Sequence, residues 1–154
     1  MENPFMARAI ELSIQNVRNG GGPFGAVVVK ARSIVGEGAN QVTATNDPTA
    51  HAEMLAIRNA CSKLKAFDLE GCEIYSSCEP CPMCMGAIYW ARVASVFFAN
   101  AAEDAAVAGF DDALIYRELA LPFQQRKIPM VQMMREQATA AFRAWKDKTD
   151  KIVY

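Results

Sequence analysis

The chain has 154 residues, a length that suits one domain, and 52% of them are hydrophobic against 21% that are charged. This balance excludes a disordered or fibrous protein. Sixteen Lys and Arg face seventeen Asp and Glu, a net charge of -1, and no basic block is present, so a nucleic-acid partner is disfavoured.

The first half of the chain predicts a helix, a hairpin and a second helix. Asn3-Pro4 and Asp47-Pro48 each place a capping residue before a proline, the usual start of a helix. The first helical pattern ends at the glycines 20–22, and the two runs that follow are rich in β-branched residues. The predicted elements are a helix over 4–17, strands over 24–30 and 33–39, and a helix over 49–63.

The second half alternates strands with helices. Its predicted elements are strands over 72–77, 93–99 and 128–134, and helices over 83–91, 111–120 and 136–148. We expect an α/β protein with a three-layer α/β/α arrangement, in which helices flank a five-stranded mixed sheet that is largely parallel apart from the opening hairpin. No repeat or linker interrupts the pattern, so we expect a single domain over 1–154.

The N-terminus lacks the basic and apolar regions of a signal peptide, and no apolar run reaches the roughly 18 residues of a membrane helix. We therefore expect a soluble cytoplasmic protein with no membrane partner. The five cysteines are not spread like a disulfide framework, because three of them crowd together at 78, 81 and 84. This cluster favours a metal site.

Two short motifs carry the chemistry. His51 and Glu53 open one predicted helix, and Cys81 and Cys84 open the next. Two cysteines three apart at a helix start share one face, and the helix dipole there favours their thiolates. Either motif alone has an ordinary explanation, a core histidine or a redox pair. Together, His-x-Glu followed by Pro-Cys-x-x-Cys is the pattern of zinc nucleobase deaminases.

The choice of cysteine pair needs an argument, because Cys78 and Cys81 have the same spacing as Cys81 and Cys84. Cys78 lies at the end of a strand, whereas the other two lie in the first turn of a helix. We therefore predict one zinc ion per subunit on His51, Cys81 and Cys84. Three protein ligands leave the fourth tetrahedral position for water, as in catalytic sites.

A separate base is expected beside this zinc. Two thiolates cancel the charge of the ion, so it acidifies water less strongly than an all-histidine site would. Glu53 lies in the same helical turn as His51 and can take the proton of the water without binding the metal. The alternative role for Glu53 is structural: a carboxylate in the first turn that only complements the helix dipole.

The remaining candidates are weaker when taken alone. Phe24 and Trp90 are more often core residues than residues that stack on a base, and Asn40 ends the predicted hairpin. Asp111 and Asp112 are more often helix caps than ligands of a substrate.

In several stretches the chain resembles the cytidine deaminase superfamily, and within it the small bacterial guanine deaminases. The stretches that carry the resemblance are 21–27, 46–53, 77–84, 86–92 and 108–112, which include Gly-Gly-Pro-Phe-Gly and His-Ala-Glu. The resemblance runs essentially end to end, and it implies zinc on the three ligands chosen above, with Glu53 as proton shuttle.

The resemblance also implies a substrate pocket and a dimer. It implies that Asn40 and Asp112 hydrogen-bond a purine, that Phe24 and Trp90 pack on it, and that Ala52 lines the pocket. It further implies a homodimer in which the segment 136–154 is swapped between subunits and Tyr154 closes over the active site of the partner. Taken without the resemblance, a frayed terminus explains the tail equally well.

The function that these expectations favour is hydrolysis of guanine to xanthine and ammonia, with attack of water at C2. Three alternatives stay open. A tRNA adenosine deaminase shares the zinc motifs but should carry a basic face. A nucleoside deaminase needs room for a ribose. A zinc-stabilised binding module without catalysis needs a fourth protein ligand.

Overall fold

A computed structural model describes residues 3–154 of the chain. They divide into two compact units, of which the first ends at Asp112 and the second is Ala113–Tyr154. The expectation of one domain over 1–154 stays a prediction. Among the described residues, none of the helices combines the length and the apolar character that crossing a membrane requires.

The first unit contains four strands and five helices among its described residues. They are α1 (Pro4–Arg18), β1 (Gly25–Lys30), β2 (Ser33–Ala39), α2 (Val42–Thr45), α3 (Ala52–Leu64), β3 (Glu73–Cys78), α4 (Pro82–Trp90), β4 (Ser95–Asn100) and α5 (Ala102–Val107). The second unit contains α6 (Ala113–Ala120), a short 3-10 helix (Phe123–Gln125) and α7 (Arg135–Asp147).

The strands form one mixed sheet in the order β2-β1-β3-β4. β1 pairs antiparallel with both β2 and β3, and only β3 and β4 run parallel. The mixed α/β sheet is therefore confirmed, but the expectation that it is parallel beyond the opening hairpin is wrong. The hairpin turns at Ala31 and Arg32, between the strands predicted over 24–30 and 33–39, and both residues have positive φ values.

The fifth strand, predicted over 128–134, is not formed. This segment is exposed along its whole length in the second unit and pairs with no described strand. Pro129 removes a backbone donor, and a lone extended segment gains no ladder hydrogen bonds. The β-branched composition that favoured a strand is therefore not sufficient to make one.

The two faces of the sheet pack against different helices. Successive side chains of β1 point to opposite faces, so Ala26 and Val28 join the core cluster that contains α3 and α4 residues. Val27 and Val29 join Tyr75 on the other face, where α1 covers them through Phe5, Met6 and Leu12. The first unit therefore has helices on both faces of its sheet, as a three-layer arrangement requires.

Small residues bring α3 unusually close to β2. Ala52, Ala56 and Ala60 recur one helical turn apart, and they lie over Gly36 and Gly38 of the strand. A Cβ added at Gly38 would overlap the carbonyl oxygen of Ala52 and lie 2.6 Å from the backbone nitrogen of Ala56. This close contact determines where the N-terminus of α3 lies.

We expect Gly38→Ala to lower the free energy of unfolding by about 2 to 3 kcal/mol, because the helix must shift to admit the methyl group. Urea unfolding of the two proteins measures the difference. Gly86→Ala is the matched control, since a Cβ at that exposed helical position meets nothing within 4 Å. It should stabilise the protein by about 0.5 to 1 kcal/mol. An unchanged midpoint for Gly38→Ala would contradict the close packing.

Candidate active site

The predicted metal ligands stand at the starts of two neighbouring helices. His51 is the N-cap residue of α3 and Cys81 is the N-cap residue of α4, both in extended backbone conformation. Neither side chain makes a capping hydrogen bond to its own helix. Both side chains are therefore available to a ligand, and each lies at the positive end of a helix dipole.

The start of α3 differs from its prediction. Asp47 and Pro48 do not begin the helix, because the Asp47 carboxylate accepts hydrogen bonds from the backbone and hydroxyl of Thr49 in a turn. The helix begins at Ala52, three residues later than predicted. The consequence is that His51 precedes the helix instead of lying inside it.

His51, Cys81 and Cys84 form a group whose ligand atoms all lie within 4.8 Å of one another. Nδ1 of His51 is 3.5 Å from Sγ of Cys81 and 3.5 Å from Sγ of Cys84. Tetrahedral zinc with ordinary Zn–S and Zn–N bonds separates a sulfur from a nitrogen ligand by about 3.5 Å. One histidine and two cysteines at these separations fit zinc in both chemistry and geometry.

The electrostatics of this group favour binding of a cation. A hydrogen bond from the Cys84 thiol, aided by His51, lowers the pKa of Cys81 to about 4. The hydrogen bond with Cys81 in turn raises the pKa of Cys84, and burial acts in the same direction. Cys81 is therefore a thiolate at neutral pH, while Cys84 keeps a proton that a metal ion would displace.

Cys78 is unsuited to be the second cysteine ligand. It ends β3, it is buried, and its Sγ lies 3.6 Å from the carbonyl oxygen of Ala101. Burial raises the pKa of Cys78 as it does that of Cys84, so position separates the two: among the described residues, Cys84 and not Cys78 joins His51 and Cys81 in the group whose ligand atoms lie within 4.8 Å. This geometry supports the choice of Cys81 and Cys84 over Cys78 and Cys81.

Glu53 is a buried carboxyl group beside the metal ligands, with 5% of its surface exposed. Its Oε1 accepts a hydrogen bond from Ser76 Oγ at 3.0 Å, and its Oε2 lies 3.5 Å from Cys84 Sγ. Burial raises the pKa of Glu53 above its usual value. A carboxyl group with a raised pKa can both accept and donate a proton near neutral pH, as general acid–base catalysis requires.

Ser76 was missed by the sequence analysis. It follows Tyr75 on β3, and strand alternation directs its side chain to the face that carries Glu53. The alternation within 72–77 was visible in the sequence, but which face meets α3 depends on the order of the strands. Ser76 could therefore be assigned only once β3 lay next to β1.

Two of the weaker candidates lie together. The backbone nitrogen of Asn40 donates to the carbonyl of Phe24 at 3.1 Å. The Asn40 side-chain oxygen accepts from the backbone nitrogen of Val42 at 3.2 Å, which leaves its NH2 group to face a ligand. Phe24 meets Phe110 edge to face, with ring centroids 4.9 Å apart, and Phe110 is a second aromatic residue that sequence reasoning did not single out.

Asp112 lies near the metal group. Burial raises the pKa of its carboxyl group, and the negative charge of the Cys81 thiolate acts in the same direction. Ala52 is fully buried in the core, so only its backbone can face a ligand. Its N–H belongs to the first turn of α3, where helix donors have no partner within the helix.

Trp90 is not brought to the metal ligands in the same way. Trp90 ends α4, about 13 Å along the helix from Cys81, and 74% of its surface is exposed. Tyr154 belongs to the second unit, where its ring lies 6.5 Å from the ring of Trp145. Their predicted contacts with a purine stay predictions.

Comparison with known proteins agrees with this site. The model of the cytidine and deoxycytidylate deaminase zinc-binding region matches residues 1–100. A guanine deaminase of Bacillus subtilis is 52% identical over 151 residues, which are 97% of each chain. A tRNA-specific adenosine deaminase of Aquifex aeolicus is 43% identical over 94 residues, 61% of this chain and 62% of the other.

Solved structures give the same relationship. The crystal structure of guanine deaminase from Bacillus subtilis has a TM-score of 0.96 and 51% identity, and the match covers 100% of this chain and 99% of the other. A guanine deaminase from Nitrosomonas europaea has a TM-score of 0.68 and 35% identity, with 73% of this chain and 67% of that chain covered.

Proposed function

Because this chain belongs to the family of cytidine and deoxycytidylate deaminases that share a zinc-binding region, we propose that it hydrolyses guanine to xanthine and ammonia. The observation that carries this substrate is the 52% identity to a guanine deaminase over 97% of both chains. The reaction type is supported by three metal ligands with a buried carboxyl group beside them.

The proposed mechanism uses His51, Cys81 and Cys84 to hold zinc and Glu53 to move protons. Zinc, when bound, supplies the Lewis acidity that makes water a nucleophile at neutral pH. Glu53 accepts the proton of the attacking water and passes protons to the ring and to the departing amine. A bond forms between C2 and the water oxygen, the bond from C2 to the exocyclic nitrogen breaks, and ammonia leaves.

In this proposal, two polar side chains and one aromatic ring hold the purine. The NH2 group of Asn40 donates to an acceptor on the purine edge, since its oxygen is occupied by Val42. Asp112, whose carboxyl group is close enough to the metal group for the Cys81 thiolate to help raise its pKa, meets the amino-bearing edge. Phe24 packs on the ring and is itself supported by Phe110.

A tRNA adenosine deaminase is the second candidate, supported by the 43% identity to such an enzyme over 94 residues. Charge argues against it. With sixteen basic and seventeen acidic residues the chain has a net charge of -1, and it lacks the excess of basic residues that phosphate contacts require. The similarity to the guanine deaminase also covers 97% of this chain, whereas the match to the adenosine deaminase covers 61% of it.

Ammonia release from zinc-loaded protein tests the proposal. We expect turnover of guanine and none of guanosine, adenine, cytosine, cytidine or a tRNA anticodon stem offered in parallel. Xanthine must appear in equal amount to ammonia. Turnover of the tRNA stem or of a nucleoside, with guanine inert, would contradict the proposed substrate while leaving the zinc chemistry intact.

We also propose that the enzyme is a homodimer that exchanges its C-terminal segment, 136–154. The support is that α6 and α7 bury no residue completely and leave large apolar side chains exposed, among them Phe142, Trp145 and Tyr154. Exposed apolar surface of this kind marks a protein–protein contact. A cytoplasmic location, which we also propose, fits the five cysteines, which are all free thiols.

Mixed dimers test the exchange of the tail. One subunit carries Glu53→Gln with its tail intact, and the other keeps Glu53 but lacks residues 152–154. If Tyr154 closes the site of the partner, each variant alone is nearly inactive, and unfolding and refolding them together restores about a quarter of wild-type activity, by random pairing into one productive site in half of the dimers. Refolded mixtures that stay inactive would show that the tail acts on its own subunit.

A further inference from the structure

We propose that Asn16 is a positioning residue for the purine pocket. Its side-chain amide donates at 2.7 Å to the carbonyl of Gly22 and at 2.8 Å to the carbonyl of Asn40. Both amide hydrogens are therefore used. One binds the loop at Gly22, and the other binds Asn40, just after the end of β2. The inference rests on the proposed function, because it takes Asn40 and Phe24 to bind the substrate.

The two carbonyls belong to a closed ring of hydrogen bonds. The carbonyl of Gly22 also accepts from the backbone nitrogen of Phe24 at 2.9 Å. The carbonyl of Phe24 in turn accepts from the backbone nitrogen of Asn40 at 3.1 Å. Asn16 completes the ring by binding the carbonyl of Asn40. The backbone positions of Phe24 and Asn40 thus depend on each other and on Asn16.

The surroundings of Asn16 show that its position is closely constrained. Only 7% of its surface is exposed, near the end of α1, and its own carbonyl accepts from the backbone nitrogen of Gly21 at 2.8 Å. A Cβ at Gly21 would overlap the Asn16 amide. The glycine run that ends α1 therefore does more than stop the helix, because it leaves space for this amide.

The ring also orients the Asn40 side chain. With its backbone carbonyl held by Asn16 and its side-chain oxygen by Val42, Asn40 is fixed at both ends. A Cβ at Gly22 would lie 3.3 Å from Cγ of Asn40, so this loop also packs on the Asn40 side chain. Loss of the Asn16 amide removes the hydrogen bond that holds the Asn40 carbonyl. The NH2 group of Asn40 is then less well positioned to donate to the purine edge.

The consequence for kinetics is specific. A residue that orients a binding group, without touching the reacting atoms, affects KM more than kcat. We expect Asn16→Ala to raise KM for guanine about tenfold, the effect of losing one well-placed hydrogen bond to substrate, and to change kcat by less than about threefold. Zinc content should stay at one ion per subunit.

A double-mutant cycle separates positioning from a general loss of stability. If Asn16 acts through Asn40, then Asn16→Ala adds less than about a twofold increase in KM to the Asn40→Ala variant. A merely structural role predicts that the two effects multiply. Asn16→Asp keeps the shape of the side chain but replaces its donors with acceptors, so it should raise KM at least as much as Asn16→Ala.

Ser13→Ala is the matched control. Ser13 lies one turn earlier on α1, is equally buried, and donates to the carbonyl of Ile10 within the helix at 2.7 Å. It has no bond to the ring of residues around the pocket, so its KM and kcat should match those of the wild type. Thermal unfolding of all variants reports how much stability each change removes.

Each outcome decides the matter. KM within twofold of wild type for Asn16→Ala, multiplying effects in the cycle, or an Asn40→Ala variant with unchanged kinetics would each overturn the positioning role while guanine turnover stands. If wild-type protein deaminates a different base from the panel, the proposed substrate falls. The same cycle measured on that base then supports the positioning role if the KM effects of Asn16→Ala and Asn40→Ala do not multiply, and overturns it if they do. If neither Asn16 variant folds, or no base is turned over, the inference is wrong.

Discussion

Glu53→Gln should retain one zinc per subunit and lower the turnover of guanine by about three orders of magnitude or more. General acid–base catalysis by one positioned side chain contributes about 10²- to 10⁴-fold, and in the proposed mechanism Glu53 transfers a proton at more than one step. The exchange is nearly isosteric, so Ser76 keeps an acceptor on the side chain. The amide cannot accept the proton of water, and that loss is chemical, not structural. Steady-state kinetics and metal analysis on the same sample measure both results.

The control for this variant tests the alternative that Glu53 has only a structural role, as a carboxylate that stabilises the start of α3. Glu103 occupies the first turn of α5 and is exposed. Glu103→Gln removes a charge from an equivalent helical position and should leave turnover within about twofold of the wild type. A Glu53→Gln enzyme with more than a tenth of wild-type kcat would remove Glu53 from the mechanism.

Cys84→Ser should abolish stoichiometric zinc binding and, with it, activity. Cys84 is completely buried and lies 3.5 Å from Nδ1 of His51, so its replacement removes one of three protein ligands from an interior site. A serine hydroxyl is a far weaker zinc ligand than a thiolate. We expect zinc below about a tenth of an ion per subunit after dialysis, and a lower melting temperature because metal binding stabilises the folded state.

Cys78→Ala is the matched control, since it removes the only other cysteine at the same spacing from Cys81. The Cys78 thiol makes one long contact, to the carbonyl of Ala101, and its pKa of about 11 keeps it protonated. Zinc content should stay at one ion per subunit, with a modest loss of stability from the small cavity. Zinc retained in Cys84→Ser and lost in Cys78→Ala would reverse the assignment of the pair.

The chemistry of this site could be predicted from the sequence because it depends on residue types at short spacing. Cys81 and Cys84 are three residues apart, so any helix that begins near Cys81 brings their sulfur atoms to one side. Glu53 follows His51 by two residues, which keeps it near the same metal. For such local arrangements the backbone geometry of one helical turn is sufficient.

The fold was predicted less completely, and the errors have identifiable causes. The segment 128–134 has the composition of a strand, but a strand needs a neighbour, and no described strand offers one. β1 runs antiparallel to β3, because chain direction in a sheet is set by how the intervening elements pack, which composition does not reveal. Asp47 had the pattern of a helix cap and instead closes a turn onto Thr49.

By itself, the sequence predicted that Cys81 and Cys84 share one helix face, that Glu53 lies close to His51, and that helices alternate with strands, since each of these depends on local spacing. The approach of His51 to Cys81, 30 positions away, depends on the tertiary structure. Only the tertiary structure decided that Ser76 bonds Glu53, that Gly38 sets the approach of α3, and that Asn16 joins Gly22 to Asn40. These contacts join residues 6 to 24 positions apart in the chain. They depend on the packing of whole elements, which local periodicity does not encode.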